Sequence, residues 1–126
     1  MDDHAKLFYE EIRQRTSDVE TIAKNTGFST DEVATVKNHI FLNTYSLGYD
    51  EPTRFDPDYD MAVSWQRLIT GTDIQEMDLV MLRHELMEHG LMTSGGLSYR
   101  DAHARAEQLY NYSAYITALN RKEGLV

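Results

Sequence analysis

The sequence predicts an all-α fold: one compact domain, 1–126, of about five to six helices with one long loop near 44–56. Three observations carry that expectation. Helix-start signals recur before runs of apolar residues at helical spacing. Glycines stand just past the ends of those runs, where a left-handed residue is wanted. No convincing run of alternating β-branched residues offers a strand.

Each helix has its own punctuation. The first is expected near 3–15, in the acidic opening MDDHAKLFYEE. Ser17 with Glu20 three residues on has the form of a capping box and starts a helix at 18–26, closed by Gly27. Ser29 with Glu32 starts 30–43 in the same way, with Gly48 beyond its end. Asp56 as cap, with Pro57 at the first helical position, starts 57–70, which Gly71 closes. Thr72 to Gln75 opens 75–93, before Gly95 and Gly96. Ser98 with Asp101 opens a last helix, 99–120.

Composition narrows the function. The chain has 126 residues, a net charge of −9 and no cysteine. Disulfides and thiolate metal sites are therefore excluded. The acidic balance disfavours loose nucleic-acid binding, which needs clustered Lys and Arg, yet leaves room for an enzyme that cuts nucleic acid at a local basic site. No segment approaches the ~18 consecutive apolar residues of a membrane span, and the acidic opening lacks the basic-then-apolar order of a signal peptide. A soluble protein with no membrane partner is expected.

The chemistry concentrates in MLRHELMEHG, residues 81–90. Leu79, Leu82 and Leu86 form an apolar stripe, and Met77, Val80, Met81, Met87 and Leu91 cover most of the remaining circumference. A helix so apolar is expected to be central and buried. His84 and Glu88 share one sector, and Glu85 with His89 forms a second pair about 100° away. Buried ionisable groups are costly unless paired. Three readings stay open. The run nearly spells the H-E-x-x-H zinc signature, but Glu88 stands where the second histidine belongs, so a divalent metal needs a further ligand such as His39. His84 with Glu85 or Glu88 can serve instead as a metal-free acid–base pair. The groups can also be a satisfied structural network.

Other candidates sit further off. Arg54, in the long loop, is an anion clamp or an ion-pair partner. Asp56, Asp58 and Asp60 alternate as in a calcium loop, but Met61 and Arg67 occupy the Gly and Glu places, which excludes an EF-hand. Trp65 is expected in the core. Residues 22–40 have helix-turn-helix spacing, but Asp31 and Glu32 at the start of the second helix argue for plain packing over DNA reading. His4 and His103 fall on polar faces and are expected at the surface.

Taken together, IAKNTGFS…VKNHIF, RFDPDYDMAVSWQRL, LVMLRHELMEHGLM and SYRDAHARAEQLYNY resemble a domain at the C-terminal end of phage minor head (head-morphogenesis) proteins and bacterial polymorphic toxins. The resemblance spans roughly residues 10–112. It implies a portable effector domain delivered by a phage particle or secretion system, with an immunity protein or a delivery component as partner. Its hallmark positions are His39, Arg54, Asp56, Asp58, Trp65, Arg67, His84 and Glu85. On this basis the expected activity is hydrolytic and nuclease-like, with nucleic acid as substrate. His84, Glu85, Glu88, His39 and Arg54 are the expected catalytic set; Arg67, Asp58 and Trp65 are the expected substrate contacts. A non-enzymatic phage structural domain and a zinc-dependent hydrolase are the alternatives.

Overall fold

The computed structural model describes residues 3–47 and 50–122, and among these every regular element is helical. The helices are α1 (Asp3–Gln14), α2 (Asp18–Thr26), α3 (Thr30–Lys37), α4 (Tyr59–Thr70), α5 (Glu76–Thr93), α6 (Tyr99–Leu109) and α7 (Tyr112–Lys122). A π turn, Asn38–Leu42, continues α3. Gly48 and its expected stop signal lie outside the described residues.

α5 is the axis of the molecule, as its all-round apolarity requires. It packs against α3, the π turn, α4, α6 and α7. α1 lies on α4 and the π turn, and α2 on α3 and α4. The core joins Tyr9, Ile22, Val33, Val36, Ile40, Phe41, Trp65, Leu68, Met81 and Leu82. Phe41 sits edge-on between Tyr9 at 4.7 Å and Trp65 at 5.2 Å, the geometry aromatic quadrupoles favour.

Several boundaries follow their signals. The Ser29 hydroxyl accepts from Glu32 N while Glu32 accepts from Ser29 N, a complete capping box. Ser98 accepts from Asp101 N. Gly27 and Gly71 close α2 and α4 with φ of 83° and 73°. At Gly71 a Cβ would also meet the Asn25 amide at 3.0 Å, which is engaged with the Leu68 and Ile69 carbonyls.

Others move. Ser17 makes no side-chain cap; its neighbour Asp18 is committed elsewhere. α4 starts at Tyr59, with Asp58 rather than Asp56 as cap, accepting from Met61 N at 3.2 Å. Here Pro57 precedes the helix instead of opening it. α5 is capped by Gln75 with Asp78, not by Thr72. The expected 30–43 helix changes pitch at Asn38, and the expected 99–120 helix breaks at Tyr110 and Asn111, where Asn111 caps α7 by accepting from Ala114 N.

Two ion pairs, one buried and one partly so, brace the frame. Lys37 Nζ donates to Asp18 Oδ1 at 2.9 Å and to Arg15 O at 2.8 Å, and Trp65 Nε1 donates to Asp18 Oδ2 at 3.1 Å. Arg67 grips Asp78 through two nitrogens, at 2.8 Å and 2.6 Å, tying α4 to α5. No described helix is long and apolar enough to cross a membrane.

Asp18→Asn keeps the shape of the first network but leaves Lys37 buried beside a neutral group. Such an uncompensated charge costs about 3–5 kcal/mol. We expect a loss of that size in urea denaturation, largely recovered in the Asp18→Asn/Lys37→Met double variant. A loss under about 1 kcal/mol in the single variant would show that the pair is not a brace.

Candidate metal centre

One face of α5 carries His84, Glu85 and Glu88 inward, and three other elements bring partners to it. His39 comes from the π turn. A π turn takes in an extra residue, and here three consecutive side chains, His39, Ile40 and Phe41, are all buried. The carbonyls around this turn are held by arginines: Arg13 Nε donates to Phe41 O at 2.6 Å and Arg54 Nε to Leu42 O at 3.3 Å. His103 comes from α6. The break between α6 and α7 places the Tyr110 carbonyl 3.0 Å from His84 Nδ1.

Glu88 is the hub. Its Oε1 lies 2.7 Å from His39 Nε2, and its Oε2 lies 3.1 Å from His84 Nε2 and 2.8 Å from His103 Nδ1. The latter two nitrogens are 3.3 Å apart. Glu85 Oε2 reaches His39 Nε2 at 3.3 Å, a nitrogen that already faces Glu88. The ligand atoms of His84, Glu88 and His103 all fall within 4.8 Å of one another, as do those of His39, Glu85 and Glu88. Both triads have the donor chemistry of a Zn2+ or Mn2+ site.

Outer contacts orient the rings. The Tyr110 carbonyl can only accept, so His84 Nδ1 carries a proton and Nε2 faces Glu88. His39 Nδ1 lies 2.6 Å from the Tyr45 hydroxyl, which also accepts from Asn43 Nδ2 at 3.2 Å. Glu107 Oε1 is buried without a hydrogen-bond partner, 3.4 Å from His84 Nδ1. The long loop supplies the wall. Tyr45 and Thr53 pair by backbone bonds at 2.7 Å and 2.9 Å, which fixes Phe55 against His39, Tyr45 and Tyr99. Tyr99 then packs on His103 and His103 on His84, so a continuous arc of rings surrounds the carboxylates.

The electrostatics separate the two glutamates. Burial pushes Glu88 up, but hydrogen bonds from His103, His39 and His84 outweigh it and hold the carboxyl well below the usual carboxylate range. Glu85 is driven well above that range by burial first and by the charge of Glu88 second. The hydrogen bond with Glu88 raises His103. Burial and the charges of Glu88 and Glu85 push the Tyr99 phenol up to about 12.

This cluster floors a cleft of about 390 Å3. Of the expected catalytic set, His84, Glu85, Glu88 and His39 meet directly, and Arg54 lines the cleft from an exposed position. Asp58 lines it too, as the cap of α4. Trp65 and Arg67 do not: Trp65 is fully buried on Asp18, and Arg67 is committed to Asp78. His103 is half-buried and part of the cluster rather than a surface residue, and Glu107 lies beside it. Their spacing on α6, i and i+4, is the one signal that could have pointed to them. His89 does not pair with Glu85; its ring packs 5.3 Å from His39, and burial lowers its pKa.

Comparison of the chain with protein-family models, with curated proteins and with solved structures found no match.

The ring orientation is testable by nitrogen-detected NMR. We expect His84 to keep a slowly exchanging Nδ1–H from about pH 6 to pH 9, because the Tyr110 carbonyl holds it in either charge state. A neutral ring protonated only at Nε2 would contradict this arrangement.

Proposed function

We propose that this chain is a metal-dependent hydrolase whose centre is Glu88 and the histidines that converge on it. One observation carries the reading: His84 Nε2, His103 Nδ1 and Glu88 Oε2 bring three atoms of ligand type to one point, 2.8–3.3 Å apart, at the floor of a cleft. Ligands about 2.1 Å from a tetrahedral ion stand about 3.4 Å apart, so the triad needs only a small expansion to hold one. His84 has the second contact that ligating histidines need, an Nδ1–H donated to a carbonyl. Three protein ligands leave a fourth position for water or substrate, and a bound ion there would acidify that water and polarise the scissile group.

The chain's own residues do the rest. The aromatic arc of Phe55, Tyr99 and the histidine rings shields the centre on one side. Arg54 offers the cleft a cation for an anionic group. In the reaction, water adds to the substrate's electrophilic atom, the bond to the leaving oxygen breaks, and the proton lost by water is balanced by one gained by the leaving group. On this reading His84 is a ligand rather than the acid or base. The resemblance of its motifs to those of phage minor head proteins and polymorphic toxins is the ground for placing it among delivered effector domains, with an immunity protein or a delivery component as partner.

A non-enzymatic reading is favoured by one fact: Glu88 is only 2% exposed and already engaged by three rings, as in a structural network. The two readings part on His103→Ala, which removes the most exposed ring of the triad. A hydrolase loses at least about 10–100-fold in affinity for added Zn2+ or Mn2+, since even an outer contact is worth that much. Its metal-restored hydrolysis, and any toxicity on expression, fall with it while the fold persists. A chelator-treated wild-type chain that neither binds these ions nor hydrolyses esters after their return would leave the structural reading standing.

A further inference from the structure

We propose that Glu88 bridges two divalent-cation subsites, and that the pair serves a phosphate ester. This rests on the metal-dependent reading above and adds a second ion to it. The first subsite is His84 Nε2, His103 Nδ1 and Glu88 Oε2. The second is His39 Nε2, Glu85 Oε2 and Glu88 Oε1.

The second triad has independent support. His39 Nε2 stands 2.7 Å from Glu88 Oε1 and 3.3 Å from Glu85 Oε2. A ring nitrogen carries at most one proton, and one proton cannot serve two carboxylate oxygens well. His39 is fully buried and the Glu85 side chain is nine-tenths buried, so water cannot complete the contacts of either group. A dication at this point satisfies all three groups together. His39 also has an outer contact suited to a ligand, the Tyr45 hydroxyl at 2.6 Å from Nδ1, itself fixed by Asn43. The two triads use opposite oxygens of one carboxyl group. A carboxylate shared in that way holds two ions at the spacing, about 3.5–4 Å, of two-metal phosphoester hydrolases.

Charge selects the substrate class. Among the described residues that line the cleft, Asp56, Asp58, Glu85, Glu88 and Glu107 are set against one arginine, Arg54, and no lysine. An anion entering that surface is repelled unless bound cations reverse the local sign. Two dications do so, and they leave Arg54 at the rim for a non-bridging oxygen. A neutral ester gains nothing from that reversal of sign.

The test is Mn2+ loading of the full, chelator-treated chain. We expect two equivalents per wild-type chain, with the spin-coupled electron paramagnetic resonance spectrum of a Mn2+ pair, and one equivalent with an uncoupled spectrum for Glu85→Gln. Inorganic phosphate should bind the two-ion chain at least about tenfold more tightly than Glu85→Gln, and bis(4-nitrophenyl) phosphate should be cleaved in preference to 4-nitrophenyl acetate. One equivalent in the wild type, with an uncoupled spectrum, overturns the second subsite while leaving the single-ion hydrolase intact. No binding at all overturns both. Phosphate binding that is equal in the metal-free chain overturns the charge argument. The wild-type spectrum decides even if Glu85→Gln fails to fold.

Discussion

The buried carboxylate of Glu88 is the constraint around which this molecule is arranged. A carboxylate at 2% exposure is tolerated only where both oxygens are met. Three histidines from three different elements meet them, and a local feature of the chain helps to set each one. The π turn at Asn38–Leu42 carries His39. The stop at Tyr110 turns a carbonyl onto His84. The Ser98-capped start of α6 sets the phase that brings His103 inward. A continuous 99–120 helix would have spent the Tyr110 carbonyl on its own ladder.

The frame stays rigid without borrowing from the site. Asp18, Lys37 and Trp65 form one closed network, and Arg67 with Asp78 forms another. Neither uses one of the candidate ligands, though the second reaches the cleft wall through Ser64 and Tyr112. This division explains why two residues with attractive chemistry, Trp65 and Arg67, have no part in the centre. Each is saturated by a partner that would be left buried and unpaired if the side chain were drawn off. Arg54 differs because its loop is exposed and its backbone contact uses only Nε, at 3.3 Å.

Much of the fold was legible because its signals are local. α2 spans the residues its apolar run marks, Ser29 forms its capping box, and Gly27 and Gly71 take the left-handed geometry expected of them. The central burial of α5 followed from its composition, and the His84–Glu88 pair from its spacing. The rest depended on contacts distant in sequence. Nothing local says that Asn38 begins a π turn, because the change of pitch is bought by packing and by Arg13, which arrives from another helix. Asp56 and Asp58 look alike as caps, and Pro57 even suits a start after Asp56; only the bond from Met61 N to Asp58 places the start two residues later. His103 looked like a surface residue because its own helix is polar there. Only the proximity of α5, with Glu88 at 2.8 Å, gives it a role.

The departure from the zinc signature then acquires a physical sense. In H-E-x-x-H the second histidine presents one nitrogen inward, so the helix serves one ion. Glu88 in that place presents two oxygens on opposite sides of one carbon. With one side facing His84 and His103, the other is available to an element across the cleft, and His39 occupies it. Glu85, one residue after His84, is rotated about 100° along α5 and so falls on the His39 side rather than beside His103. The order His-Glu-x-x-Glu therefore lets one helix offer a donor to each side and a carboxylate that faces both. The same positions in the zinc signature would place a second ring where the Glu88 carboxylate stands, and His39 would keep only Glu85, at 3.3 Å, to meet.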